Sequence, residues 1–215
     1  MALKIGISLR IVSAINYLEK RDALSHDWTN FLEKIGIIPI FIPNTFSNIK
    51  LFLDELNLDG LILSGGDNIG EFPERDNTEN SLIEYGINNK IPILGICRGM
   101  QLINKFYGGS IIETTNKKHI KINHEINLLD SIKENFSNEN LISVNSYHHN
   151  IVTNDSLGNN LKSFAVCNFD DTVEGIIHTS NKIIGLMWHP ERSKDDFNKK
   201  LIIQIFVENT FWNKK

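Results

Sequence analysis

A strand-like run at residues 91–96 breaks into Gly95-Ile96-Cys97-Arg98-Gly99 and continues as a helical pattern from Met100-Gln101. Few folds accept a strand, a tight turn and a helix in that order, with a cysteine at the apex. The turn needs close backbone approach on both sides, which glycine alone permits cheaply. A residue held there projects from the carboxyl end of a strand and caps a helix N-terminus. Free N–H groups and the helix dipole favour a thiolate at such a point. The arrangement is the nucleophile elbow with cysteine in place of serine.

The flanking sequence fits the same architecture. Residues 4–9, 37–42 and 59–63 read as buried strands. Between them, residues 22–35 carry an apolar stripe of Leu24, Trp28, Phe31, Leu32 and Ile35 at helical spacing. Helices are also expected over 47–56 and 76–88, the latter with Asp76 as N-cap. Strands alternating with helices predict an α/β fold, a mostly parallel sheet with helices on both faces. The second half differs. Residues 120–128 alternate apolar and polar, and 141–144, 161–166, 173–178 and 182–188 also read as strands between Asn-, Asp- and Gly-rich turns. An antiparallel extension follows from this pattern. Residues 196–212 should close the chain as one helix, and the polar stretch 116–140 reads as mobile. We read residues 1–215 as a single domain.

A net charge of −4 gives no electrostatic footprint for nucleic acid, though it leaves room for a locally positive pocket. No run approaches the roughly 20 apolar residues of a membrane span, and the N-terminus lacks a signal-peptide pattern. Cys97 and Cys167 stand far apart and outside metal-type spacing. The expectation is therefore a cytoplasmic protein that partners neither nucleic acid nor membrane, with a homodimer left open.

Two further segments supply chemistry. Ser64-Gly65-Gly66-Asp67 follows a strand, and paired glycines there can aim backbone N–H groups at an oxyanion. Trp188-His189-Pro190-Glu191 puts a histidine just past a strand with a carboxylate two residues on. That pair suits a base and its orienting partner. In open α/β sheets, sites gather at the carboxyl ends of strands, where all three segments fall.

Together GICRGMQ, SGGD, NSYHH (Asn145–His149) and WHPE resemble the class I glutamine amidotransferases, in the branch of free-standing γ-glutamyl hydrolases such as the γ-glutamyl-γ-aminobutyrate hydrolases. The resemblance covers nearly the whole chain. It implies a flavodoxin-like fold and a Cys97-His189-Glu191 triad cutting a γ-glutamyl amide. It implies oxyanion donors from the backbone of Gly66 and Arg98, and γ-glutamyl recognition by Gln101 and by Ser146, Tyr147 and His148. The expected ligand is a small γ-glutamyl compound, with no cofactor and no metal. The chain is shorter than typical members and has Asn150 where glutamine is common.

The N-terminal run, with Arg10, Lys20, Arg21 and Asp27-Trp28, is similar to the γ-glutamyl-CDP-amidate hydrolases of capsular phosphoramidate synthesis. That similarity implies a nucleotide amidate leaving group, with Arg10 and Arg21 as diphosphate ligands. Solvated basic residues in a loop would give the same pattern. A glutaminase subunit serving a separate synthase, and a non-enzymatic binding module, are the competing readings; the intact triad speaks against the last. Adjacent strand residues face opposite ways, so His148 and His149 should not share an ion. Cys167 reads as a core cysteine. His26, His119 and His178 carry no signal, and His124 and Glu174 resemble family positions near the site without a role that chemistry supplies.

Overall fold

The computed structural model describes residues 2–114, 119–129 and 140–212. Thirteen strands are seen among these residues. They begin with β1 (Leu3–Ser8), β2 (Arg10–Ser13), β3 (Lys20–Ala23), β4 (Ile37–Ile42), β5 (Gly60–Leu63), β6 (Ile93–Ile96) and β7 (Ile112–Glu113). They continue with β8 (Ile120–Leu128), β9 (Leu141–Tyr147), β10 (Asn150–Ile151), β11 (Leu161–Cys167), β12 (Val173–His178) and β13 (Ile183–Leu186). The helices are α1 (His26–Lys34), α2 (Ile49–Leu56), α3 (Pro73–Asn89), α4 (Arg98–Phe106) and α5 (Asp196–Ile202).

Nine strands form one sheet in the order β4-β1-β5-β6-β13-β12-β11-β8-β9. Pairings from β4 through β13 are parallel, and those from β13 through β9 are antiparallel. The expected mostly parallel sheet with an antiparallel extension is therefore present. Side chains on the inner strands alternate between two apolar layers. Ile62, Leu94 and Ile96 pack with Trp28, Phe31 and Leu32 of α1 and Leu201 and Ile202 of α5. Leu61, Leu63 and Ile93 pack with Leu53 of α2, Leu82 and Ile83 of α3, and Met100 and Ile103 of α4. Each such side chain, fully buried, contributes about 1.5–3 kcal/mol. Helices on both faces leave the carboxyl ends of β1, β5, β6 and β13 side by side at one edge. Among the described residues, no helix is long and apolar enough to cross a membrane.

Three local expectations are corrected. Residues 22–35 are not one helix: Lys20–Ala23 pairs antiparallel with Arg10–Ser13, and the helix begins only at His26. Ser25 caps it, accepting from the Asp27 N–H, while Asp22 leaves the helix to bind the backbone and side chain of Asn44. Asp76 is not an N-cap, because the helix starts three residues earlier at Pro73, whose missing N–H costs nothing there. The Asp76 carboxylate instead accepts from the Gly70 N–H and pairs with Arg98. The closing helix breaks after Ile202 into π-helical and 3₁₀ turns. Of the polar stretch 116–140, residues 120–128 form β8; residues 116–118 and 130–139 lie outside the described residues.

Candidate active site

Cys97 sits where β6 ends and α4 begins, at φ 50° and ψ −101°. A non-glycine residue held there stores about 1–3 kcal/mol of strain, and neighbours impose it. The Cys97 N–H donates to the Leu186 carbonyl of β13 at 2.7 Å. The flanking glycines are required sterically: a Cβ on Gly99 would lie 2.2 Å from the Leu63 carbonyl oxygen, and one on Gly95 would lie 2.6 Å from the Gly99 carbonyl carbon. The thiol is buried at the helix N-terminus.

His189 follows β13 and is clamped by Asn145 of β9. The Asn145 side chain donates to the His189 carbonyl at 2.8 Å and accepts from its N–H at 2.9 Å. The imidazole Nδ1 meets Glu191 Oε1 at 2.7 Å, which leaves Nε2 as the free nitrogen. A point one bond from the Gly65 backbone lies 2.7 Å from His189 Cε1 and 3.6 Å from Cys97 Cβ, so ring and thiol flank the same glycine.

Charge couples these groups. Burial pushes the Cys97 thiol up, but the hydrogen bonding and charge of His189, the charge of His148 and the Arg98 N–H outweigh it. The thiol is thus held below its ordinary value. Burial alone would lower His189, yet the hydrogen bonds and charges of Cys97 and Glu191 raise it to about 9. The arrangement favours a thiolate–imidazolium pair.

The loop bearing Gly65 and Gly66 is fixed from below. Arg75, fully buried on α3, donates to the carbonyls of Ser64, Gly65 and Gly66 and pairs with Glu79 and Asp67. Arg98 pairs with Glu79 and Asp76 in the same buried network. Burying such charges is costly unless they are well paired. The network leaves the side chain of Arg98 committed and its backbone at the elbow.

A cavity of about 220 Å³ opens over the thiol, lined among others by Arg10, Gly66, Gln101, Tyr147, His148 and Arg192. Of the residues expected in the site, Cys97, His189, Gly66, Arg98, Gln101, Tyr147, His148 and Arg10 line this cavity. Glu191 stands behind His189. Ser146 does not line it: its side chain is turned away, and its hydroxyl donates to the His119 carbonyl at 2.7 Å. Arg21 is likewise elsewhere, exposed on the hairpin and held by Glu19 and Tyr17, while Lys20 pairs with Glu74.

Arg192, Arg75 and Asn145 take part without having been assigned roles from sequence. Arg192 stacks 4.6 Å from the Tyr147 ring centroid. Only the neighbouring WHPE motif pointed toward it. A larger hollow of about 760 Å³ shares Asn68, Gln101, His149 and Asn150 with the first and adds Lys105. His148 is buried and His149 exposed, but the two lie in the turn between β9 and β10 and not on a strand as expected.

Comparison with known proteins bears on the chain as a whole. A family model described as Glutamine amidotransferase class-I matches residues 18–209. The γ-glutamyl-CDP-amidate hydrolase of Campylobacter jejuni is 32% identical over 209 residues, covering 94% of this chain and 96% of that one. Anthranilate synthase component 2 of Cyanophora paradoxa is 29% identical over 197 residues, covering 88% of this chain and 96% of its own. A glutamine amidotransferase structure from Thermotoga maritima has a TM-score of 0.66 at 15% identity, covering 99% of this chain and 86% of that one, and so shares the fold.

Proposed function

Because the chain belongs to the class I glutamine amidotransferase family, we propose that it hydrolyses a γ-glutamyl amide through a γ-glutamyl thioester on Cys97. The Cys97 thiolate attacks the γ-carbonyl carbon, and the backbone N–H groups of Arg98 and Gly66 receive the oxyanion. The C–N bond breaks as His189 Nε2 gives its proton to the leaving nitrogen. Water then gives a proton to His189 and attacks the thioester, releasing glutamate and restoring the thiolate. Glu191 holds the imidazole in the tautomer that both steps need. Gln101, Tyr147 and His148 are the side chains assigned to the glutamyl half.

For the leaving group we propose a nucleotide amidate, with γ-glutamyl-CDP-amidate as the substrate. The product, a cytidine diphosphoramidate made in the cytoplasm, would serve surface polysaccharide modification. The single observation that carries this reading is the placement of Arg10 and Arg192 on the wall of the cavity that holds Cys97. Forked guanidinium groups suit a diphosphate. The end-to-end likeness to the Campylobacter jejuni hydrolase supports the same substrate. A second reading is a glutaminase subunit that passes ammonia to a separate synthase, which the likeness to an anthranilate synthase component supports. The test is kcat/KM of the purified protein on glutamine, γ-glutamyl-γ-aminobutyrate and γ-glutamyl-CDP-amidate. Preference for the nucleotide is expected. Preference for glutamine would overturn the nucleotide reading and leave the thioester chemistry standing.

A further inference from the structure

Behind the wall that bears His148, a second cluster of side chains converges, of which only His148 has been given a part at Cys97. His119 lies just before β8, His124 on β8, His148 just after β9, and Glu174 on β12. His119 and Glu174 are wholly buried, and His148 and His124 are nearly so. His148 Nε2 lies 3.5 Å from Glu174 Oε1, and His119 Nδ1 lies 3.8 Å from the same oxygen. His124 Nε2 lies 3.5 Å from Glu174 Oε2. None of these five inward atoms has a hydrogen-bond partner.

The outward nitrogens explain why. His148 Nδ1 meets the Asn150 carbonyl at 2.9 Å, and a carbonyl only accepts, so that nitrogen carries the proton. His119 Nε2 donates to Asp170 Oδ2 at 2.9 Å, and Asp170 is itself held by the N–H and hydroxyl of Thr172. In its neutral form, a ring so anchored would turn a bare lone pair inward, toward a buried carboxylate. Lone pairs and an anion facing one another in a closed space need a cation between them.

Distance separates the two cations available. Protons on the inward nitrogens would draw each one to about 2.7–2.9 Å from its carboxylate oxygen. Ligand atoms sharing one tetrahedral ion, each about 2.0–2.2 Å from it, stand roughly 3.3–3.6 Å apart. Around Glu174 Oε1, the separations of 3.5 Å to His148 Nε2 and 3.8 Å to His119 Nδ1 lie nearer the second case than the first. The ligand atoms of His119, His148 and Glu174 all lie within 4.8 Å of one another. The outward bonds to Asp170 and the Asn150 carbonyl are those by which metal-bound histidines are usually oriented.

The geometry points to a buried divalent metal site, of the zinc type, formed by His119, His148 and Glu174. Imidazole nitrogens with one carboxylate suit a first-row divalent ion. The site is closed by burial, so its ion is structural. It ties β8, β9 and β12 together behind the cavity and fixes Tyr147 to Asn150, which form the cavity wall.

Metal content tests this independently of turnover. Protein made without a histidine tag is stripped with dipicolinate, offered Zn²⁺ or Co²⁺, desalted and measured by plasma mass spectrometry. About one equivalent should be retained, Co²⁺ should give the intense visible bands of a tetrahedral site, and Zn²⁺ should raise the Tm of the stripped protein. His119→Ala and Glu174→Ala should each lose the Co²⁺ bands, whereas His149→Ala, altering an exposed neighbour, should keep them. Because the His119 and Glu174 variants could fail to fold, the wild-type titration decides alone. Retention below about 0.1 equivalent with no change in Tm, or bands that persist in a folded His119→Ala protein, would overturn the proposal.

Discussion

Gly65 lies against the imidazole of His189: a Cβ built on Gly65 would sit 2.7 Å from Cε1 of the ring. Real Cβ atoms do not approach so closely, so an alanine at 65 must push the ring away from Cys97. Gly65 does not have the positive φ of Gly66, so backbone strain is not the cause. Gly65→Ala should leave Tm within a few degrees of wild type and cut kcat by about tenfold to a hundredfold, the usual result of a misplaced reacting group. Wild-type kcat in this variant would mean that the ring is not held for proton transfer.

Cys97→Ala should abolish turnover in a folded protein. Cys167, the other thiol, is buried in β11 beside His124 and does not line the cavity, so it cannot substitute. Rapid acid quench followed by intact-protein mass spectrometry should find a γ-glutamyl adduct on Cys97. An adduct mapped to Cys167 would remove the central assignment.

The pH profile follows from the coupling of thiol and imidazole. Cys97 is held below its ordinary value, so kcat/KM should rise as pH climbs through that lowered pKa and the thiolate forms. His189 is raised to about 9, so activity should fall as pH passes about 9 and the proton for the leaving nitrogen is lost. The two values belong to the pair rather than to either group. Glu191→Gln removes a charge that raises His189, so the alkaline limb should move to lower pH. It should also hurt kcat less than Cys97→Ala, since no bond-making atom is lost. An alkaline limb unmoved in Glu191→Gln would show that Glu191 does not set the charge of His189.

The elbow was legible because its determinants are local. Gly95, Cys97 and Gly99 stand within five residues, and each glycine answers to backbone contacts that any such turn creates. The His189–Glu191 pair was legible for the same reason. The hairpin of β2 and β3 was not, because the apolar stripe of α1 runs on through Leu24, and only pairing with Arg10–Ser13 shows where the helix stops. Ser146 read as a site residue by its neighbours, yet alternation along β9 turns its hydroxyl toward His119. The convergence of His119, His148 and Glu174 depends on which strands lie side by side, and no spacing along the chain encodes it.

Sequence pointed to Arg10 and Arg21 as diphosphate ligands, and the structure separates them. Arg10 covers Gly66, with its guanidinium carbon 3.5 Å from the position of a Gly66 Cβ, and it lines the cavity beside Arg192. Arg21 is half exposed and already paired with Glu19 and Tyr17. A charge-assisted hydrogen bond to phosphate is worth about 1.5–3 kcal/mol, which is roughly tenfold to a hundredfold in kcat/KM. Arg10→Ala and Arg192→Ala should each impose that loss on γ-glutamyl-CDP-amidate, while Arg21→Ala should stay near wild type. Slow glutamine hydrolysis is the control, because glutamine has no phosphate for either arginine to hold. Arg192 Nε also lies 3.7 Å from Glu191 Oε1. If Arg192 acted by steadying Glu191, its variant would lose glutamine hydrolysis in the same proportion. Equal losses on both substrates for Arg10 as well would remove the diphosphate assignment and leave both arginines as parts of the scaffold around the thiol.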